Sequence, residues 1–166
     1  MKLFHVSEES NITEFAPRYS SYTKKPVVWA IAESKLANYL LPRDCPRVCF
    51  SKGEKTSAAD SQHLGLSRHA IAIETSWFAR AVSTTLYLYE MPNAAFNLYD
   101  AIAGYYIADA VVIPIQQHII ERPIEVLAKN VELRILPSLW QLHDAVIDST
   151  LDFSIIRMKN ARPRPS

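Results

Sequence analysis

The amino-acid sequence predicts a compact α+β fold made of mainly antiparallel sheets with a few short helices. Residues 27–32 form a nearly unbroken apolar run, which is typical of a buried central strand. Residues 84–90 alternate between aliphatic side chains and aromatic or hydroxyl side chains, which indicates a half-buried strand. Because the strand-like segments cluster instead of alternating regularly with helices, the pattern does not fit a doubly wound sheet.

The elements of the first third follow from local patterns. Residues 3–6 alternate as a strand, with His5 and Ser7 on one face and Phe4 on the other. Residues 10–26 are polar and are expected to form a loop. The remaining expectations in this part are a helix over residues 33–41 ended by Pro42, a strand over residues 48–51, and a short helix capped by Thr56 or Ser57 with Asp60 in its first turn.

The second half adds strands and two helices. Pro123 is expected to open a helix that ends near Asn130, and Ser138 with Gln141 forms a capping box that begins another. The expected strands are residues 70–74, 104–107, 111–115 and 131–135. Pro114 would place the third of these at a sheet edge.

Composition predicts one domain over residues 1–156, followed by a basic, proline-containing tail over residues 157–166. The tail is interpreted as a solvated end, and a weak nucleic-acid contact is the alternative. The net charge of +1 creates no field that would attract nucleic acid or a membrane. Any anion site must therefore be local, and a small phosphate-bearing ligand is a possible partner. The two cysteines and the polar residues that follow the start predict the cytoplasm as the compartment.

Several reaction classes lack their motifs. Three widely separated glycines cannot form a phosphate-binding loop or a dinucleotide fingerprint. The chain has no His-Glu-x-x-His zinc helix and no Gly-x-Ser-x-Gly elbow. Its two cysteines, Cys45 and Cys49, fit neither a disulfide framework nor a four-ligand zinc site. Phosphate recognition would therefore depend on side chains, principally arginine.

The segment from Pro42 to Val48 places two arginines, Arg43 and Arg47, each directly after a proline. Proline restricts the backbone, so little entropy is lost when two guanidinium groups are presented to a phosphate or carboxylate. The alternative is a tight loop whose arginines pair within the domain. Cys45 lies between them, and nearby cations would favour a reactive thiolate there.

The whole chain resembles an uncharacterised bacterial family of unknown function, a resemblance that implies no activity. The segments that carry the resemblance are Leu3-Phe4-His5-Val6-Ser7, Val28-Trp29-Ala30, Pro42-Arg43-Asp44-Cys45-Pro46-Arg47, Gly53-Glu54-Lys55-Thr56, Ser67-Arg68-His69, the run from Thr84 to Glu90, Ala103-Gly104-Tyr105-Tyr106 and Arg157-Met158-Lys159-Asn160-Ala161.

The opening Leu-Phe-His-Val-Ser strand also resembles that of ADP-ribosyltransferase-like folds, including RNA 2′-phosphotransferases. This resemblance implies that His5 orients a ribose, that Ser7 supports it, and that NAD or ADP-ribose is the ligand. It also implies a transferase glutamate, for which Glu90, at a strand end, is the nearest candidate. The winged domain of the RNA phosphotransferases is missing. A tyrosine would stack on the base, and Tyr106 is a candidate ligand-binding residue.

Other placements remain open at this stage. Arg68 and His69 beside a strand start would line the same cleft or merely terminate a loop. His5 would alternatively be a core histidine satisfied by a backbone carbonyl. Two function hypotheses follow: an ADP-ribosyl- or phosphotransferase in which His5, Glu90 and the arginines converge, or a non-enzymatic module that binds an anion or a protein.

Overall fold

The computed structural model describes residues 1–166 and confirms the α+β class. The eleven strands are β1 (Leu3–Ser7), β2 (Arg18–Ser20), β3 (Lys25–Ala32), β4 (Arg47–Ser51), β5 (His69–Glu74), β6 (Leu86–Met91), β7 (Asn97–Asp100), β8 (Tyr105–Ala108), β9 (Gln116–Ile120), β10 (Glu132–Leu136) and β11 (Asp152–Ile156). The α-helices are α1 (Ala58–Ser61), α2 (Thr75–Ser83), α3 (Pro123–Asn130) and α4 (Trp140–Ile147). Short 3₁₀ helices lie at Glu33–Tyr39, Gln62–Leu64, Asn93–Ala95 and Met158–Asn160. None of the helices is both long and apolar enough to cross a membrane.

The chain divides into two compact units, and the single domain expected over residues 1–156 stays a prediction. Unit 1 comprises Met1–Tyr39 and Thr85–Glu121, and unit 2 comprises Leu40–Thr84 and Arg122–Ser166. Each unit is therefore assembled from two separate stretches of sequence. The basic tail belongs to unit 2.

Unit 1 contains a seven-stranded antiparallel sheet in the order β7-β8-β3-β1-β6-β9, with β2 paired to β3. Its first face carries a cluster that includes Leu3, Tyr89 and Met91. Its second face carries Phe4, Ile31 and Leu88. The two clusters follow directly from the alternation of side chains along β1, β3 and β6.

Unit 2 contains a four-stranded sheet in the order β10-β5-β4-β11. The β5–β10 pair is parallel and the other two pairs are antiparallel. The apolar side chains of β4 and β5 form a core with α4, in which Val48, Phe50, Leu139 and Val146 are buried.

Most of the predicted elements are confirmed. Ser57 caps α1, since its hydroxyl oxygen accepts a hydrogen bond from the Asp60 backbone N–H. The helix predicted over residues 33–41 is a 3₁₀ helix that ends at Tyr39. Helix α3 has the predicted bounds, but its C-cap is the extended Val131 instead of a left-handed Asn130.

The structure differs from the sequence expectations in four respects. The predicted loop over residues 10–26 contains β2 and the start of β3. Residues 111–115 form only an isolated bridge between Val112 and Phe15, and the strand begins at Gln116. The Ser138–Gln141 capping box differs: α4 begins at Trp140 with Leu139 as its N-cap, and the Ser138 hydroxyl accepts a hydrogen bond from the Trp140 backbone N–H at 3.4 Å. The sequence interpretation missed α2, β7 and β11.

Candidate functional site

The predicted site residues divide between the two units. His5, Ser7, Glu90 and Tyr106 belong to unit 1. The four other candidates belong to unit 2: Arg43, Arg47, Arg68 and His69. Each group is therefore considered by its own surroundings.

His5 is half-buried on the first face of the unit 1 sheet, directly opposite Tyr89 of β6. Its Nδ1 lies 2.9 Å from the backbone carbonyl oxygen of Trp29, so Nδ1–H donates and the ring is held in one tautomer. The imidazole also packs against Phe15, with ring centroids 4.6 Å apart. This geometry favours the structural interpretation of a histidine satisfied by a backbone carbonyl.

The polar groups around His5 form hydrogen bonds with the segment that follows β1. The Ser7 hydroxyl accepts a hydrogen bond from the Glu9 backbone N–H at 3.0 Å. The Tyr89 hydroxyl donates to the Glu9 carbonyl at 2.7 Å and accepts from the Ile12 backbone N–H at 3.0 Å. Tyr106 packs against the apolar cluster of the same face. The Ser7 and Tyr89 hydroxyls thus fasten the chain after β1 to the sheet.

Glu90 lies on the second face of the sheet, because it is opposite Phe4 in the β1–β6 register. Its carboxylate accepts hydrogen bonds from the Gln116 amide at 2.8 Å and from the Lys2 ammonium at 3.0 Å. These bonds hold the pKa of Glu90 below its usual range. The Glu90 carboxylate therefore points away from the His5 imidazole. The transferase hypothesis required these two groups to lie close together.

Arg47 is 2% exposed and is directed into its own loop. Its Nε donates to the Cys45 carbonyl at 3.0 Å, and one terminal nitrogen donates to the carbonyls of Pro42 and Arg43 at 2.7 and 3.3 Å. Arg43 is exposed at the surface of that loop. The two arginines do not form a matched pair, since Arg47 holds the loop together.

Arg68 and His69 lie at the other end of the unit 2 sheet from Arg47. In the antiparallel β4–β5 pair, Arg47 is opposite Ile73 and Ser51 is opposite His69. Four residue steps separate these positions, which corresponds to about 13 Å along the strand. That Arg68 and His69 line the same cleft as the other candidates therefore stays a prediction.

The Cys45 thiol is buried, and burial raises its pKa to about 11. The positive charge of Arg47 acts in the opposite direction but is the smaller effect. Burial likewise raises the pKa of Cys49 to about 12. The expectation that nearby arginines activate Cys45 is corrected: both thiols stay protonated at neutral pH.

Three aromatic side chains on the second face of unit 1 form a platform that the sequence interpretation missed. Tyr22, Trp29 and Tyr99 contact one another pairwise, with ring centroids 5.5–6.1 Å apart. Tyr22 is 62% exposed and Tyr99 is 40% exposed, whereas Trp29 is half-buried beneath them. We call these three residues the aromatic platform.

The turn that carries Tyr22 is fixed by local hydrogen bonds. The Lys24 backbone N–H donates to the Ser20 carbonyl at 2.8 Å, and the Thr23 hydroxyl donates to the Lys25 carbonyl at 2.9 Å. Lys24 occupies the left-handed region, with φ of 56°. Tyr22 therefore lies on a turn of defined conformation in the β2–β3 hairpin.

Three cations, Arg18, Lys24 and Lys25, lie on the hairpin that carries Tyr22. Arg18 and Lys24 are exposed and form no ion pair, and Lys25 pairs with Asp109 at 3.0 Å. Arg18 is opposite Val27, so its side chain is on the same sheet face as Trp29. The sequence does contain a signal for this arrangement, the mixture of tyrosines and basic residues over residues 18–25, but that stretch was interpreted as a loop.

No group of three or more histidine, cysteine, aspartate or glutamate side chains is arranged to hold a metal ion.

Comparison with known proteins adds one match. A model described as "Family of unknown function (DUF6886)" matches residues 4–161. The chain belongs to this family. No curated protein and no solved structure matches it. The expected family of unknown function is thereby confirmed, and nothing supports an ADP-ribosyltransferase-like fold.

Two segments that carry the resemblance to this family meet in unit 2 of the DUF6886 chain. The Asn160 amide donates to the Asp44 carbonyl at 2.7 Å, which joins the chain after β11 to the Pro42–Arg47 loop. Two residues later, the Arg162 backbone N–H donates to the buried carboxylate of Glu74. These hydrogen bonds therefore hold the two segments in place, and their role is structural.

Proposed function

We propose that unit 1 is a non-enzymatic binding module for a small phosphate-bearing nucleotide, with the base stacked on the aromatic platform. The observation that carries this proposal is the combination of Tyr22, Trp29 and Tyr99 in mutual contact with two unpaired cations, Arg18 and Lys24, on the same hairpin. NAD and ADP-ribose remain the leading ligands, because each joins a flat base to phosphates.

The platform supplies the contact with the base. Exposed aromatic rings stack on any nucleobase, and each stacked base contributes about 1–3 kcal/mol. The contacts of Tyr22 with Trp29 and Tyr99 restrict its ring before a ligand arrives, so little rotamer entropy is lost on binding. Burial and the charge of Asp100 raise the pKa of Tyr22, so its hydroxyl keeps its proton.

The cations supply the contact with the phosphates. Neither Arg18 nor Lys24 has a carboxylate partner to displace, so a phosphate would meet both at low cost. Both side chains are exposed to water, so their attraction for phosphate would be screened by salt. The expected affinity is modest and depends on salt.

The arrangement of His5 and Glu90 supports binding without group transfer. A transferase needs a carboxylate that stabilises an oxocarbenium-like ribose beside the group that orients it. Glu90 is on the opposite sheet face from His5 and is occupied by Lys2 and Gln116.

The proposal is tested by calorimetric titration of the full chain with NAD, ADP-ribose, adenosine and inorganic pyrophosphate. We expect NAD and ADP-ribose to bind more tightly than adenosine, which lacks phosphates, and than pyrophosphate, which lacks a base. Equal affinity for pyrophosphate and ADP-ribose would contradict a role of the platform. Release of nicotinamide from NAD by the protein would contradict a purely binding role.

A further inference from the structure

Strand β9 is an unprotected edge of the unit 1 sheet. It is last in the strand order, so only its β6 side is paired. The chain from residue 111 to residue 120 contains no aspartate, glutamate, lysine or arginine. Four of its aliphatic side chains are more than half exposed: Val111, Ile113, Ile115 and Ile119.

The other edge strands carry features that oppose further pairing. Strand β7 is interrupted by a register shift between Leu98 and Asp100 and ends on that aspartate. The remaining partly or singly paired strands contain charged side chains: Arg18 on β2, Glu132 and Arg134 on β10, and Asp152 on β11. Charges and bulges are common devices that keep an exposed strand from pairing with another chain. Strand β9 has no bulge in its pairing with β6, and its one titratable side chain is His118, whose Nε2 lies 3.9 Å from the Glu90 carboxylate.

We infer that β9 pairs with β9 of a second copy of this chain, in antiparallel orientation about a two-fold axis. An antiparallel edge is complementary to itself, because the outward N–H and C=O groups of one copy meet the C=O and N–H groups of the other. Two identical edges bring no aspartate, glutamate, lysine or arginine side chains together, and His118, the one titratable residue of β9, lies 3.9 Å from the Glu90 carboxylate of its own chain. A highly charged peptide would find no carboxylate, lysine or arginine to pair with on this edge, which favours a second copy.

The pairing would also cover exposed apolar surface. Ile119 is opposite Tyr87 in the β6–β9 register and would lie beside the same region of the second copy. Ile115, whose backbone N–H donates to the Glu90 carbonyl, continues the apolar side chains towards the start of the strand. The buried aliphatic area would add a hydrophobic term to the strand hydrogen bonds.

This inference is independent of the proposed ligand site. The aromatic platform draws on β3, β7 and the turn before β3, whereas β9 lies beyond β1 and β6 at the other edge of the sheet. Ligand binding and dimerisation can therefore fail or succeed separately.

The experiment is sedimentation analysis of the full chain over a wide range of protein concentrations. We expect a species of twice the 18.8 kDa chain mass that dissociates on dilution. The Ile119→Lys variant places a charge at the edge and should sediment as a monomer. The matched control Leu98→Lys places the same charge on the opposite edge strand and should leave the dimer intact, as should Leu66→Lys in unit 2.

Circular dichroism establishes that each variant is folded, and Ile115→Lys serves as a second variant outside the strand itself. Amide hydrogen exchange should show slower exchange at residues 116–120 at high than at low protein concentration, with no such change at β7. A monomer at all concentrations, polydisperse aggregates, a dimer that survives both Ile119→Lys and Ile115→Lys, or a dimer that is lost with Leu98→Lys would overturn the inference.

Discussion

His5 and Glu90 lie on adjacent strands of one sheet, yet their side chains are on opposite faces. His5 is paired with Tyr89, and Glu90 is paired with Phe4. Since side chains alternate along a strand, this single-residue offset places the sheet backbone between the imidazole and the carboxylate. A shared ligand cannot lie between the two groups, and each has found other partners on its own face.

Replacing His5 should destabilise the protein without abolishing ligand binding. His5→Ala removes the donor to the Trp29 carbonyl and the contact with Phe15. We expect the free energy of unfolding to fall by about 1–3 kcal/mol, the cost of leaving a partly buried carbonyl unsatisfied. Urea denaturation measures this change, and His118→Ala is the control on an exposed histidine. A folded His5→Ala variant that has lost affinity for NAD and ADP-ribose would instead support the ribose-orienting role.

Replacing Arg47 should be among the most damaging changes to unit 2. Arg47→Ala removes the side-chain donor to the carbonyls of Pro42, Arg43 and Cys45, of which the Pro42 carbonyl keeps its hydrogen bond from the Cys45 backbone N–H. We expect a loss of about 3–5 kcal/mol in the free energy of unfolding. Arg68→Ala, on an exposed side chain, should change it by less than about 0.5 kcal/mol. Similar losses for the two variants in denaturant titrations would show that the Arg47 contacts add nothing.

The two cysteines should be unreactive in the folded protein. Burial raises the pKa of Cys45 to about 11 and that of Cys49 to about 12, so almost no thiolate is present at neutral pH. A thiol-specific reagent should modify neither residue quickly under native conditions and both residues in denaturant. Rapid modification of Cys45 in the native protein would restore the hypothesis of a reactive thiolate.

The contact of the basic tail with α4 should weaken in acid. Hydrogen bonds from Arg164 and His143 hold the pKa of Asp144 at about 2, below the 3.8 of an unperturbed aspartate. A lowered folded-state pKa means that the carboxylate stabilises the fold fully above pH 3.8, and that this contribution disappears as the pH falls through about 2. The stability difference between the wild type and Arg164→Ala should therefore shrink over that interval.

The acid titration has a simple control in Asp144→Asn, which cannot titrate. In that background, adding Arg164→Ala should produce a difference that does not change with pH, because the contacts of Arg164 that remain, with the amide oxygen and with the Trp140 ring, involve no carboxylate that titrates. An unaltered pH dependence in the Asp144→Asn background would assign the acid sensitivity to other groups.

The sequence predicts the elements whose signals are local. The alternation of β1 and β6 sets the faces of both strands, and the Ser57 cap depends on residues within one turn. Strand β7, in contrast, contains asparagine and aspartate, which are poor strand formers, and exists because it pairs with β8. The β7 strand forms because it pairs with β8, which lies outside the few residues from which a strand is predicted.

The candidate site was less predictable for the same reason. Arg43 and Arg47 have similar local contexts, and only the position of Arg47 at the start of buried β4 directs its guanidinium inward. The platform joins Tyr22 and Trp29 to Tyr99, which lies about seventy residues away in the sequence and reaches them only through the order β7-β8-β3. The composition of residues 18–25 indicates an interface but does not predict that Tyr99 contributes the third ring.

The most direct test of the account compares the affinities of Tyr22→Ala and Tyr19→Ala for ADP-ribose by calorimetry. Tyr19 is 70% exposed on the same hairpin, but it alternates with Arg18 and so lies on the other face, outside the platform. We predict that Tyr22→Ala weakens binding about tenfold or more, as expected for the loss of one stacked base, and that Tyr19→Ala binds like the wild type. Equal affinities for the two folded variants, or stronger weakening by Tyr19→Ala, would contradict the proposed platform.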